Sequence, residues 1–200
     1  MRDVVILGGG LAGLTLAMQI RQKNQEIGIT ILEMRKNLAP YAAHKVGEST
    51  VELGTHYLRE VLDLKSYLDM HHLPKQGLRF FFSPQIKEKI DKRVELGAKV
   101  SLEIPSHQID RGLFENDLME ALENMGVEII LGSRVQQLEQ AEENHLIRYE
   151  KDGKSYEITS RWLVDATGRA SLLKRKYQFC LLYTSPSPRD QRGSRMPSSA

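Results

Sequence analysis

The chain has a single cysteine, Cys180, in 200 residues. One cysteine excludes a disulfide framework and any metal centre built on paired cysteines. No stretch approaches 18 consecutive apolar residues, so no transmembrane helix and no membrane partner are expected. The short apolar run in "MRDVVILGGG" leads straight into glycines. It lacks the longer apolar region and the cleavage site of a signal peptide, and a cytoplasmic protein is expected. Charge of one sign is also missing. The net charge is +2, and the last 21 residues carry all of it, with Arg189, Arg192 and Arg195 against Asp190. Residues 1–179 hold 25 basic and 25 acidic residues, which gives no electrostatic ground for a nucleic-acid partner.

What is present fits a globular protein: 40% hydrophobic and 27% charged residues, on a length that can bury a core. The last 21 residues differ in kind. They hold three of the seven prolines and five serines. "CLLYTSPSPRD" resembles a translated sequencing-adapter stretch, so residues 180–200 are expected to be a non-native, disordered tail. The natural chain is then expected to continue past Phe179.

The elements follow from hydrophobic periodicity. "DVVIL" (3–7) is a short apolar run ended by glycines, read as a buried strand. Leu11, Leu14, Leu16, Ala17 and Ile20 recur at helical spacing, and "ITILE" (29–33) is a second strand. A helix is expected over 51–68 and a strand at "LRFFF" (78–82). "SLEIPSHQID" reads as extended, with Pro105 at an edge or bend. Asp110 can cap a helix over 111–125 that Gly126 ends. "VEIIL" is a buried strand. "RVQQLEQ", "HLIRYEK" and "YEITSRW" alternate, with Asp152-Gly153 as a hairpin turn. "WLVDATGRA" is a final strand running into a polar turn.

"GGGLAG" supplies G-x-G-x-x-G as Gly8, Gly10 and Gly13. The pattern alone is weak. Here it follows a strand and opens a helix, and Glu33 ends the next strand 20 residues after Gly13. That is the setting of a dinucleotide site. Gly8 permits the tight turn, Gly10 lets the backbone approach a diphosphate, and Gly13 lets helix and strand pack closely. The helix N-terminus offers free N–H groups to phosphate, and Glu33 can accept from ribose hydroxyls. The plainer alternative is a glycine-rich turn in some other α/β protein.

The chain resembles FAD-dependent oxidoreductases of the glutathione-reductase-like superfamily in three places: the fingerprint, "LEMR" with Glu33 and Arg35, and "VDATGRAS" with Asp165 and Gly168. "DRGLFENDLMEAL" adds Arg111 at a helix start that lies near the FAD phosphates in related enzymes. The resemblance implies an α/β, Rossmann-like FAD-binding fold with an inserted β-rich portion, whose C-terminal half is absent. It implies FAD as cofactor, bound also by Leu11, Ala12 and Val135. Simple turn and helix-start roles are the plainer readings of Asp165 and Arg111.

"HKVGEST" (44–50) then finds a context. "VGEST" resembles a loop of flavin-dependent halogenases and monooxygenase-like relatives that lines the flavin, which implies Gly47, Glu48 and Ser49 as cofactor-binding residues. The alternative is local: Ser49 or Thr50 caps the helix that follows. In tryptophan-halogenase-like enzymes a lysine follows this loop in a K-x-x-x-K-F pattern. "KQGLRF" (75–80) matches it with arginine in place of the second lysine. By resemblance Lys75 is catalytic, holding or relaying hypohalous acid between flavin and substrate; otherwise it is a solvated loop lysine. The implied enzyme uses reduced FAD and oxygen on a small organic, aromatic substrate, with a separate flavin reductase as a possible partner. Two alternatives stand beside it: a geranylgeranyl-reductase-type flavoprotein, and an inactive nucleotide-binding fragment.

Other features invite less. His71-His72 is read as a loop pair with no metal pattern around it. Phe80–Phe82 are read as core plus one substrate-facing ring, and Lys174–Lys176 as a solvated helix face.

Overall fold

A computed structural model describes residues 1–45, 47–75, 79–83, 89–97, 105–141 and 143–179. The expected tail, 180–200, lies outside the described residues, as do Leu78 of the expected "LRFFF" strand and most of "SLEIP".

The chain opens with strand β1 (Arg2–Leu7), helix α1 (Leu11–Lys23) and strand β2 (Ile29–Glu33). A loop leads to helix α2 (Glu52–His56), which runs into one π-helical turn (Tyr57–Val61), and then to helix α3 (Lys65–His71). Strands β3 (Leu73–Lys75), β4 (Arg79–Phe82), β5 (Val94–Gly97) and β6 (Ser106–Gln108) form two small antiparallel pairs, β3 with β6 and β4 with β5. Helix α4 (Arg111–Asn124) precedes β7 (Glu128–Leu131) and the meander β8 (Arg134–Gln140), β9 (His145–Lys151) and β10 (Lys154–Asp165). A short helix, α5 (Leu172–Lys176), follows.

Six strands make the main sheet in the order β7-β2-β1-β10-β9-β8. β1 runs parallel to both β2 and β10, and β7 is parallel to β2. β1 buries both its faces, which is why it reads as an unbroken apolar run. Val4 and Ile6 face α1 and α4 with Leu14, Phe114 and Leu122. Val5 and Leu7 face the other layer with Leu138, Ile147 and Leu173 of α5.

Local signals account for most boundaries. Asp110 caps α4, its Oδ1 accepting from the N–H groups of Gly112 (2.8 Å) and Leu113 (3.1 Å). Gly126, at φ +80°, ends that helix, and the Val127 N–H turns back to Leu122 O at 2.9 Å. Asp152 and Gly153 both take positive φ, 51° and 75°, at the β9–β10 hairpin.

Three of the expected elements differ. The helix expected over 51–68 is broken at Asp63, whose φ of 54° is left-handed. Asp tolerates that conformation better than most residues, and the apolar spacing runs on across the break without revealing it. "YEITSRW" and "WLVD" are not two strands but the single strand β10. It pairs antiparallel with β9 up to Ser160 and parallel with β1 from Ser160 to Asp165. Phe80, Phe81 and Phe82 are not core: they are 54%, 39% and 54% exposed. They sit on a two-stranded ribbon whose described pairing partner is β5 alone. Lys174–Lys176 are exposed, as expected.

Asp69 ties the π-helical turn to α3 and β6. Its carboxylate accepts from Arg59 at 2.6 Å and Lys65 at 3.0 Å, with His107 Nε2 at 3.4 Å. The hydrogen bond from Lys65, then that from Arg59, pulls its pKa from 3.8 down to about 2. A depressed carboxylate pKa stabilises the fold above the unfolded value and loses that contribution as pH falls through the folded one. The side chain is 43% exposed, so screening limits the contribution to about 1 kcal/mol or less. Asp69→Asn should therefore lower the melting temperature at pH 6, and the gap to the parent should close between about pH 4 and pH 2. A gap that stays constant down to pH 2 would exclude this linkage.

Candidate functional site

The carboxyl ends of β1, β2 and β10 meet at one edge of the sheet, because Leu7 pairs with Leu32 on one side and with Asp165 on the other. The chain leaves β1 through Gly8, at φ +106°. A Cβ there would lie 2.5 Å from the carbonyl oxygen of Ala166. At Gly13 a Cβ would lie 2.1 Å from Gly8 O, so α1 can sit against the turn only without one. Gly10 differs: its Cβ would meet nothing within 4 Å. It is the N-cap of α1 and faces open space. Gly8 and Gly13 thus do the turn and packing jobs expected of them, and Gly10 leaves open space at the start of α1. Gly9, passed over in the sequence, does another. Its N–H donates to Glu33 Oε2 at 2.6 Å, and a Cβ would press on Glu33 at 3.1 Å.

Glu33 is 8% exposed. Its other oxygen accepts from Arg35 N at 2.8 Å and Arg35 Nε at 3.2 Å. Arg35 Nη2 returns to Gly9 O at 3.0 Å. A second carboxylate, Glu115 on α4, is fully buried and meets Arg35, Lys45 and Arg111. Sequence reasoning missed it. The available signal was its position four residues after Arg111 on one helix face.

A cleft of about 570 Å³ opens at this edge, and the expected residues Gly8, Gly10, Leu11, Glu33, Val135 and Gly168 line it. A second, of about 540 Å³, is walled by Gly47, Ser49 and Thr50. Both are lined by Leu11 and Ala12 of the first turn of α1, and by Arg111. The two flank one helix N-terminus, an arrangement suited to a long ligand with an anionic middle. Gly10 leaves open space there, and Arg111 borders both clefts.

Asp165 acts on its own turn. Its Oδ1 accepts from Thr167 N (3.1 Å) and Oγ1 (2.6 Å), and its Oδ2 accepts from Leu173 N (2.8 Å). The cleft wall is made by the residues it holds, Ala166, Thr167 and Gly168. Gly13 and Arg35 likewise shape the site from behind it.

The 47–50 loop is fastened to β6 like an added strand. Ile109 N donates to Glu48 O at 2.8 Å and Thr50 N to His107 O at 2.9 Å. Gly47 turns the chain at φ +92°, and Glu48 Oε1 accepts from Lys45 N at 3.0 Å, so this carboxylate orders the loop from within. The expected helix cap is not made. Val51 holds the N-cap position of α2 without a side-chain bond. The Thr50 hydroxyl is committed elsewhere, 2.8 Å from both His107 O and His107 N and 2.6 Å from Thr55 Oγ1. Lys75 comes to the same loop from β3, its ammonium donating to Ser49 Oγ at 3.1 Å and to Thr50 O at 2.5 Å. It stands on a strand and not in a loop, half-buried, with its ammonium bonded.

The expected loop pair is split: His71 ends α3, and His72 is the single residue between α3 and β3, where it is buried. Its ring packs against Tyr67 and Phe114, and burial pushes its pKa below the usual histidine value.

The glycines give a contrast that stability can read. Gly13→Ala drives a methyl group into Gly8 O and should cost about 1–3 kcal/mol. Gly10→Ala meets open space and should cost less than about 1 kcal/mol, the helix-capping difference alone. Thermal or urea unfolding of the two variants measures this, and equal losses would overturn the packing account of Gly13.

The comparisons agree with this geometry. A family model described as FAD binding domain matches residues 1–184. The flavin-dependent halogenase chlA of Dictyostelium discoideum is 26% identical over 84% of this chain. The 1H-pyrrole-2-carbonyl-(peptidyl-carrier protein) chlorinase of Pseudomonas fluorescens is 30% identical over 87% of it. The chain spans only 31% and 41% of their lengths. Among solved structures, halogenase PltM in complex with phloroglucinol and FAD has a TM-score of 0.70 at 16% identity, covering 88% of this chain and 36% of that one. Flavin-dependent brominase Bmp2 has a TM-score of 0.67 at 23% identity, covering 88% and 40%. These likenesses show a shared fold. With the family match running over most of its length, the chain belongs to the FAD binding domain family, and FAD is its cofactor.

Proposed function

We propose that this chain is the cofactor-binding portion of a flavin-dependent halogenase that uses oxygen to modify a small aromatic substrate in the cytoplasm. A separate flavin reductase would supply the reduced cofactor. The observation that carries the reading is the Lys75 ammonium bonded to Ser49 and Thr50, two residues that line the second cleft. Its neighbours in sequence point the same way: a halogenase and a carrier-protein-linked pyrrole chlorinase.

Reduced FAD, when bound, supplies the activation of oxygen. The residues of the chain do the rest. The N-terminus of α1 would receive the diphosphate at Gly10, with Arg111 bordering the same space. Glu33 would hold the adenosine ribose, and Val135 and Gly168 would border that end. Gly47 and Ser49 would line the flavin end, on a loop that Glu48 orders. An ammonium has three N–H donors. Two of Lys75's are taken by Ser49 Oγ and Thr50 O, which leaves one for a small oxidant such as hypohalous acid.

The full-length gene product should bind FAD and not NADP, because the Glu33 carboxylate repels a 2′-phosphate. Gly10→Val should abolish flavin uptake while circular dichroism stays that of the parent, since the branched side chain fills the space above α1. Fluorescence titration decides it. Unchanged flavin affinity would place the phosphates elsewhere.

Lys75→Ala should leave FAD binding unchanged and remove halogenated product. Reoxidation of reduced flavin and product formation are measured together, with chloride or bromide and a panel of phenols, indoles and pyrroles. Full halogenation by the variant would end the catalytic role of Lys75. Rapid reoxidation by the parent with hydroxylated and no halogenated product would point instead to a monooxygenase.

A further inference from the structure

We propose that Glu115 is a positioning residue for the cofactor's diphosphate, acting through Arg111 and through the loop that carries Lys45. The proposal rests on FAD lying across the N-terminus of α1.

Glu115 is 0% exposed. A carboxylate removed from water is retained as an ion only where cations and hydrogen bonds replace its hydration. Here Arg111 Nη2 and Lys45 Nζ bond its two oxygens, and Arg35 Nη2 lies 3.5 Å away. The cations come from three different segments: Arg35 from the end of β2, Lys45 from the loop before α2, and Arg111 from the first residue of α4. One buried carboxylate therefore joins three of the segments that border the two clefts.

Arg111 is the residue whose placement matters most. It borders both clefts, beside the N-terminus of α1 where a bound diphosphate would lie. A planar guanidinium gives paired hydrogen bonds to phosphate only in a fixed orientation. Glu115, one helical turn further along α4, fixes it. Gly47 stands on the other side, where a Cβ would come 3.8 Å from Arg111 Nη1.

The loop before α2 needs the same anchor. Ala42 and His44 both hold left-handed backbones, each at φ 49°, a conformation that is unfavourable for residues with a side chain. The flanking contacts to α4 keep them there: Ala42 N donates to Asp110 Oδ2 at 2.8 Å, and Lys45 reaches Glu115. Lys45 is followed within a few residues by Gly47 and Ser49, which line the second cleft. Glu115 thereby sets the cation at the diphosphate and the start of the flavin-side loop together.

A different role predicts the opposite sign. Three cations and the carboxylates of Glu33 and Glu115 make a cluster with one positive charge in excess. If Glu115 served only to reduce that charge, its removal would strengthen the attraction for a diphosphate and steepen its dependence on salt. If it positions Arg111, removal weakens binding although the site becomes more positive.

FAD is titrated into the full-length parent, Glu115→Gln and Glu115→Asp by fluorescence over a sodium chloride series, with circular dichroism and melting curves on the flavin-free proteins. Glu115→Gln should bind FAD about tenfold more weakly at low salt, the loss expected for a mispositioned charge-assisted contact. Glu115→Asp, which keeps the charge but withdraws it by one methylene, should lose about threefold while its salt dependence stays that of the parent. If the Gln variant does not fold, the Asp variant carries the test. Unchanged or tighter FAD binding by the folded variants would overturn the proposal. So would failure of both to fold, which would make the role structural. A parent that binds no FAD at all would instead sink the reading of the cleft.

Discussion

The site depends on how closely the backbones of β2 and β10 approach the turn that follows β1. Gly8 N donates to Leu32 O and Ala166 N donates to Leu7 O, each at 2.8 Å. The ladder thus continues past the end of β1 on both sides. Gly8 is held in the gap, with no room for a Cβ against Ala166 O. Because that gap is closed, the chain must rise out of the sheet at Gly9 and begin α1 at once. Glu33 is then brought under Gly9, and the Asp165 turn is brought alongside Gly8. The opening above Gly10 is what remains when three strand ends are packed at the spacing of one sheet.

Charge is arranged on a finer scale than composition reveals. Residues 1–179 are formally neutral, and that neutrality gave no ground for a nucleic-acid partner. Yet Arg35, Lys45 and Arg111 converge within reach of one buried carboxylate, at the place where an anionic ligand would lie. A count of charges averages over the surface. A site needs only three cations whose neighbours keep them from turning to solvent. The same separation of scales applies to Lys75, whose meaning comes from the two acceptors at its ammonium and not from the basic residues elsewhere in the chain.

Features written in a short stretch of sequence were legible. The glycine turn, the Asp110 cap, the Gly126 stop and the Asp152-Gly153 hairpin each depend on residues a few positions apart, and each stands where it was expected. Features that depend on distant partners were not. Glu115 looks like one of several acids on α4 until Lys45 and Arg35 are folded against it. Thr50 has the chemistry of a helix cap, but His107, 57 residues away, takes its hydroxyl. Asp63 interrupts a helix whose apolar spacing runs on across the break. β10 reads as two strands because its partner changes at Ser160, and the partner is not written in the strand. Phe80–Phe82 have the composition of a core and stand exposed on the β4–β5 ribbon.

The placement of Lys75 is the clearest case of geometry adding to a motif. β6 is the middle of a three-part ribbon. On one side it pairs with β3, placing Lys75 opposite Ser106. On the other it pairs with the 47–50 loop, placing Ser49 opposite Gln108. The ladder on both sides of β6 therefore fixes the distance between the lysine backbone and the loop. The side chain then spans β6 and ties back to Ser49 and Thr50. A long flexible side chain is ordinarily a poor means of holding a reacting group, because its rotamer freedom must be given up. Here both ends are held, the backbone by the sheet and the ammonium by two acceptors on a loop that is itself pinned to the same strand. Rigid support of this kind is what the role proposed for Lys75 requires. It also explains why the loop begins with a glycine and ends with a threonine: Gly47 makes the turn into the ribbon, and Thr50 locks its last residue to the strand that carries the lysine's partner.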